Sequence, residues 1–173
     1  MISQNKGKMY FTTRELVFTA LMTAFVFTAT YLPHIPIPLG YAHLGDAVIF
    51  LLALMAARRV TFFAACVGSV LADLLGGFVL WALPTLIIKF VMAEIVFRIA
   101  RRRASLAGRR NIIAALVLSS LWMAAAYTLA GAVLYDSLTA ALASSPGLLM
   151  EGIVNGVIAL LLLPLLREHF PRH

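Results

Sequence analysis

Four ionisable side chains, Asp46, Asp73, Lys89 and Glu151, stand inside or at the edges of long apolar stretches. Asn155 follows Glu151 by four residues, one helical turn along and on the same face. A charged group at the bilayer centre costs at least about 2.5–3.5 kcal/mol on insertion scales, so such residues face the protein interior and mark functional sites by default. Together they offer an ammonium, three carboxylates and an amide, which suits the capture of a small polar molecule. Tyr41, His43 and Trp81 lie close by in the chain and add aromatic surface. Each residue also has a plainer use. Lys89 bridged to Glu151 or Asp73 would hold helices together. Asp46 would serve as a helix cap. His43 fits the wet interface as well as a binding site, and Tyr31, Tyr41, Phe78 and Trp81 fit an aromatic belt.

Other chemistries find no support in the pattern. His34, His43, His169 and His173 make no ligand spacing, and Cys66 is alone, so neither a metal site nor a disulfide is expected. No phosphate-cradling loop, G-x-S-x-G turn or H-E-x-x-H helix occurs, so the chain is expected to be no enzyme, to need no cofactor and to hydrolyse no ATP by itself. Glu15 and Glu168 read as solvated, Asp136 as a turn residue, and Glu94 as the partner of Arg98 four residues on.

The elements that must position these groups are membrane helices. Of 173 residues, 62% are hydrophobic and 12% charged, about half the charge of an ordinary soluble domain. A spanning helix needs about 20 mainly apolar residues. Six such segments appear, at about 14–33, 43–57, 61–79, 82–100, 111–135 and 146–166, so the chain reads as one all-α domain of six transmembrane helices. Thr12 and Glu15 form a capping box before the first. That first segment is too long and lacks the exit of a cleaved signal peptide, and reads as a retained span. Ser144, Ser145, Pro146 and Gly147 are expected to break the chain before the last.

The net charge of +7 is placed rather than spread. Thirteen of the fourteen Lys and Arg residues fall in the alternate links or at the two ends, and links 34–42, 77–81 and 136–145 hold none. The positive-inside rule makes the basic side, with both termini, cytoplasmic. Nucleic-acid binding is not expected, because no basic face exists beyond those links. The fourteenth residue is Lys89, roughly 10 Å below the outer end of span four at 1.5 Å per residue. Asp46, Asp73, Lys89 and Glu151 then share similar depth in the outer half. Small residues spaced by four (Ala20 and Ala24; Gly68, Ala72 and Gly76; Gly152 and Gly156) predict close helix packing, and for span one a partner subunit. The two halves show no internal repeat, which weakens a secondary-transporter reading.

With these residues in view, the chain resembles a known family, the substrate-binding S components of energy-coupling factor (ECF) vitamin transporters. The stretches that carry the resemblance are His43-Leu44-Gly45-Asp46-Ala47, the run from Gly68 to Gly77, and the run from Pro84 to Lys89. The six-span layout, the Pro-rich first outer link and Ala20-x-x-x-Ala24 fit as well. The resemblance implies high-affinity capture of a B vitamin or precursor from outside a bacterial cell membrane. It implies docking on a membrane coupling subunit through Ala20 and Ala24, two partner ATPases, a lid at residues 34–42, and cargo held where Tyr41, His43, Asp46, Asp73, Trp81, Lys89, Glu151 and Asn155 gather. Closely similar proteins serve riboflavin, pantothenate, pyridoxine or hydroxymethylpyrimidine. A mixed-sign site leans toward a small pyridine or pyrimidine, while Lys89 would suit the carboxylate of pantothenate. Two rival readings are a six-span scaffold of the MreD cell-shape type and a stand-alone carrier.

Overall fold

The computed structural model describes residues 12–33, 35–101 and 108–169. Lys6, Lys8, Arg102, Arg103 and Arg172 of the basic count, and His34 of the expected lid, lie outside them. The described chain is a bundle of six α-helices: α1 (Thr13–Tyr31), α2 (Gly45–Met55), α3 (Arg58–Leu75), α4 (Ala82–Val96), α5 (Arg109–Leu134) and α6 (Leu138–His169). A two-stranded antiparallel hairpin, β1 (Ile35–Ile37) and β2 (Gly40–Ala42), joins α1 to α2 with Ile35 opposite Ala42. A π-helical turn, Phe97–Arg101, extends α4.

Three stretches are long and apolar enough to cross a membrane by length and composition: Val79–Ala100, Arg109–Leu134 and Leu138–Arg167. Their outward faces carry exposed Leu83, Ile87, Leu129, Val133, Leu161 and Leu165. In water such contiguous apolar surface would drive association; in lipid it faces its own solvent. Helix α2 is different. Eleven residues make a rod about 16 Å long, about half a bilayer core. Every residue from Gly45 to Leu54 is buried. A helix that is apolar all round belongs in the interior, and α2 packs against α1, α3, α4 and α6. Its Ile49 and Phe50 join Met92, Val96 and Met123 in one buried core.

Local chemistry sets the ends of several helices. At α1 the capping box forms as the sequence predicts, with the Glu15 N–H donating to Thr12 Oγ1 at 3.2 Å and the Thr12 N–H to Glu15 Oε2 at 3.0 Å. Helix α3 ends in a left-handed turn that needs glycine: Gly77 takes φ +84°, and the Phe78 N–H returns to the Asp73 carbonyl at 2.8 Å. Asp136 ends α5 in the same way at φ 47°, with the Ser137 N–H on the Ala132 carbonyl, which gives this acidic residue its turn role.

The last helix departs from expectation. It starts at Leu138 and runs through Pro146 without a break. The proline removes one backbone donor, the one that would serve the Leu142 carbonyl, and the two serines before it turn their hydroxyls onto their own helix. Ser144 Oγ and Ser145 Oγ bond back to the carbonyls of Ala140 and Ala141, and Ser145 Oγ also meets Thr128 Oγ1 of α5 at 3.0 Å. Tertiary contacts override the local breaker signal. At the opposite end of the bundle Glu94 accepts from Arg98 at 2.7 Å, as expected, and also from Arg58 of α3 at 2.5 Å.

The small-residue stripes divide in two. At Gly68 an added Cβ would lie 2.8 Å from the Thr23 carbonyl oxygen and 2.9 Å from Val26, so α1 and α3 approach closely only because this position is bare. Gly152 similarly admits Ser120, but Gly156 has nothing within 4 Å. Gly68→Ala is therefore expected to destabilise the fold by about 1–3 kcal/mol through overpacking. Gly156→Ala should leave stability unchanged or raised by up to about 1 kcal/mol through helix propensity. Thermal unfolding of both variants in detergent checks the contrast; equal effects would contradict this packing.

Candidate functional site

The turn that ends α3 places two side chains at once. By folding the Phe78 N–H onto the Asp73 carbonyl it brings both residues to the lining of one cavity. The hairpin then brings Tyr41 over both: its hydroxyl donates to Asp73 Oδ1 at 3.0 Å, and its ring lies 5.0 Å from Phe78 and 5.7 Å from His43. Burial, and after it the Asp73 charge, pushes the Tyr41 hydroxyl above its ordinary pKa. Tyr41 therefore stays a protonated donor across the neutral range.

These groups wall a cavity at the hairpin end, with about 50 Å³ of free space. Tyr41, His43, Asp73, Trp81 and Glu151 of the expected site residues line it. Trp81 is held by its indole N–H on Tyr135 Oη at 3.2 Å, with its ring 5.6 Å from that of Tyr127. The hairpin closes over the cavity through Ile37, Leu39 and Gly40. The Leu39 N–H donates to Ser144 Oγ at 3.0 Å, and Ile37 seats against Gly147 of α6.

Asp46, Lys89 and Asn155 come to the same end of the bundle but lie beneath the cavity, off its lining. Lys89 Nζ and Asp46 Oδ1 form an ion pair at 2.5 Å in which both side chains are 0% exposed. The partner of Lys89 is thus Asp46, and neither Glu151 nor Asp73 as the sequence suggested. Asp46 sits in the first turn of α2 and caps nothing. The ammonium also lies 5.3 Å from the centroid of the Tyr127 ring, a cation–π contact. Asn155 is a clamp. Its Nδ2 donates to the His43 carbonyl at 2.8 Å and to the Glu151 carbonyl at 2.9 Å, and its Oδ1 accepts from the Ala47 N–H at 2.9 Å. It joins the start of α2 to α6.

His43 links the two layers. Its Nδ1 lies 3.2 Å from Glu151 Oε1 and 3.2 Å from the Gly45 amide nitrogen. That atom can present a proton to the first or a lone pair to the second, never both together. Donor atoms of His43, Asp46 and Glu151 lie within 4.8 Å of one another, a closeness the sequence spacing did not reveal. By distance alone they would suit a divalent ion. The Lys89 ammonium already occupies Asp46, and a second cation against it in a dry site would be strongly repelled. The trio fits a charge network better than a metal.

Tyr127, Thr85 and Ser144 line the cavity without having been singled out as site residues. Thr85 was reachable from sequence, since it lies four residues before Lys89 on one helix face, and Tyr127 Oη donates to its hydroxyl at 3.1 Å. Tyr127 carried no signal within an apolar run. Ser144 was read as a breaker.

The fold is that of a helical membrane protein with a cavity of aromatic and carboxylate side chains under a short hairpin. A family model described as "ECF-type riboflavin transporter, S component" matches residues 10–168. The chain belongs to that family, whose members are transporter subunits and not enzymes. It is also 45% identical over 73 residues to a protein of Pyrococcus woesei described as "Uncharacterized protein in gap 3'region". That match covers 41% of this chain and 49% of the relative, so it spans about half the relative's length.

Removing one partner of the buried pair leaves the other as an uncompensated charge. Asp46→Asn is expected to destabilise the protein by about 3–5 kcal/mol, and Asp46→Leu combined with Lys89→Met to recover most of the loss. Denaturant unfolding in detergent checks it. A single variant as stable as the wild type would show that the pair does not hold α2 to α4.

Proposed function

We propose that this chain is the substrate-binding subunit of an ATP-driven ECF importer, taking a B vitamin or precursor from the outer face of a cell membrane. The observation that carries the reading is the cavity of aromatic and carboxylate side chains, closed by the β1–β2 hairpin, at the end of the bundle away from the arginines. The charge pattern supports six spans with cytoplasmic termini, so that the cavity faces outward. Ala20 and Ala24 are exposed on α1 beside exposed Val17 and Leu21, which suits docking on a coupling subunit that works with two ATPases.

The cavity also bears on the cargo. Its small free space favours a single planar ring, such as pyridoxine or hydroxymethylpyrimidine. Riboflavin, the vitamin in the family's description, would need the hairpin to lift further. Pantothenate fits least, because Lys89 is committed to Asp46 and no lysine or arginine lines the cavity among the described residues. A scaffold of the MreD type would have no use for the cavity or the buried network.

Uptake of labelled vitamin into proteoliposomes separates the readings. Transport is expected only with the coupling subunit, the ATPases and ATP present. Transport by this chain alone would favour a stand-alone carrier, and no binding of any vitamin would favour the scaffold. Ala20→Leu with Ala24→Leu should leave ligand affinity within about twofold and abolish assembly with the coupling subunit, measured by co-purification. Intact assembly would remove this face of α1 from docking.

A further inference from the structure

A second recess lies away from the hairpin cavity, between α5 and α6. It holds about 260 Å³ of free space, against about 50 Å³ under the hairpin. Its walls are Ile113, Val117 and Leu121 of α5 and Ile153, Val157 and Leu160 of α6. The Ser120 hydroxyl also lines it, but is spent on the Gly152 carbonyl at 3.3 Å. Gly152 lets Ser120 close the two helices together, whereas a Cβ on Gly156 would meet nothing within 4 Å. The bare surface at Gly156 is therefore room rather than packing. Helix register fixes where the recess lies. Ser120 meets Gly152 and Thr128 meets Ser145, so the antiparallel pair sets Arg109 about level with Leu163 and Arg167 about one turn beyond. The recess begins one turn inside Arg109, at Ile113, and ends at Leu121 and Leu149. That is about 16 Å along the bundle, about half the hydrocarbon core of a bilayer. At its basic end an arginine continues each wall. Arg109 precedes the lining residues Ile113 and Leu116 by four and seven places, and Arg167 follows Leu160 by seven. Both arginines are exposed, and neither joins an ion pair among the described residues. With Arg110, three arginines stand against one carboxylate, Glu168, at these two helix ends.

We propose that this recess binds one anionic phospholipid from the leaflet on the arginine side, with its headgroup phosphate between Arg109 and Arg167 and one acyl chain laid along Gly156. The inference stands apart from the importer reading and needs only that the bundle span a membrane. The inner part of the recess offers hydrocarbon alone once Ser120 has bonded to Gly152, and a methylene chain covers that where a polar solute does not. The mouth offers guanidinium groups, which hold phosphate oxygens through paired N–H bonds. The length matches one leaflet, so a transmembrane helix would leave half of itself outside. Such a helix, 10–12 Å across with its side chains, would also rest on the rims and leave Gly156 uncovered. A zwitterionic headgroup brings its own cation to the two arginines and is held less well. Basic residues beside a membrane surface attract anionic lipid in any case; the recess turns that diffuse attraction into one site.

Native mass spectrometry of the full chain in detergent tests it, with dioleoyl phosphatidylglycerol, dioleoyl phosphatidylcholine and glycerol 3-phosphate as probes. The wild type is expected to retain one phosphatidylglycerol at least about fivefold more tightly than phosphatidylcholine, and to retain no glycerol 3-phosphate. Arg109→Gln combined with Arg167→Gln should bring the two lipids within about twofold of each other. Gly156→Leu fills the recess from a position with space for it, and should weaken retention of both lipids at least about fivefold. Thermal melting of the lipid-free variants checks that they fold; where Gly156→Leu does not, the wild-type ranking and the arginine variant still decide. Equal retention of the two lipids by the wild type, or unchanged retention in a folded Gly156→Leu chain, overturns the proposal. Tight binding of glycerol 3-phosphate overturns it in favour of a free phosphate. A Gly156→Leu chain that keeps its lipid but no longer assembles with the coupling subunit overturns it in favour of a partner helix.

Discussion

The Asp46–Lys89 ion pair is the constraint around which the hairpin end is built. It joins the first turn of α2 to the second turn of α4 with no exposure to solvent or lipid. Such a pair is weak as a source of stability, because desolvating two charges offsets much of their attraction. Its value lies in what it forbids. Any rotation of α4 that exposed the ammonium to hydrocarbon, or any slip of α2 that separated the charges, would leave an unpaired ion in a dry interior. The pair therefore fixes the depth and rotation of both helices. Tyr127, Thr85 and Trp81 then fall into place above it.

The second layer is assembled from helix ends. The glycine turn after α3 delivers Asp73 and Phe78 together. Asn155 ties the start of α2 to α6 and, through the His43 carbonyl, sets the imidazole against Glu151. The hairpin spans from the end of α1 to the start of α2 and rests on Ser144 and Gly147 of α6. Side chains from α3, α4, α5 and α6 thus meet under one short strand pair. The cavity-lining groups beyond the hairpin come from helices or from the short links at their ends. Hydrogen bonds from Leu39 to Ser144 and from Tyr41 to Asp73, with Ile37 seated against Gly147 and the Tyr41 ring against Phe78, hold the hairpin.

Much of this was legible in the chain. Apolar runs and the alternation of basic links located the helices, and the capping box at Thr12 and Glu15 formed as its spacing predicts. Depth placed Asp46, Asp73, Lys89 and Glu151 at one end of the bundle, and Tyr41, His43 and Trp81 joined them by their closeness in the chain. Pairing did not. Which carboxylate meets Lys89 depends on how α2 and α4 are rotated about their axes, across 43 residues of chain, and no local pattern encodes that. The start of α6 was misplaced because Ser-Ser-Pro-Gly reads as a stop, whereas Ser144, Ser145 and Gly147 are held by contacts with the hairpin and α5 inside one continuous helix. Tyr127 was missed because an aromatic residue in an apolar span looks the same whether it faces lipid, core or cargo.

The central claim is that the cavity beneath the hairpin holds a small organic molecule. Native mass spectrometry of the full chain, released from detergent after incubation with a mixture of B vitamins and their precursors, tests it most directly. The account predicts a single retained mass of vitamin size on the wild-type protein, absent from a folded Trp81→Ala variant. A wild-type chain that retains nothing, or a mass held equally well without the Trp81 ring, would contradict it.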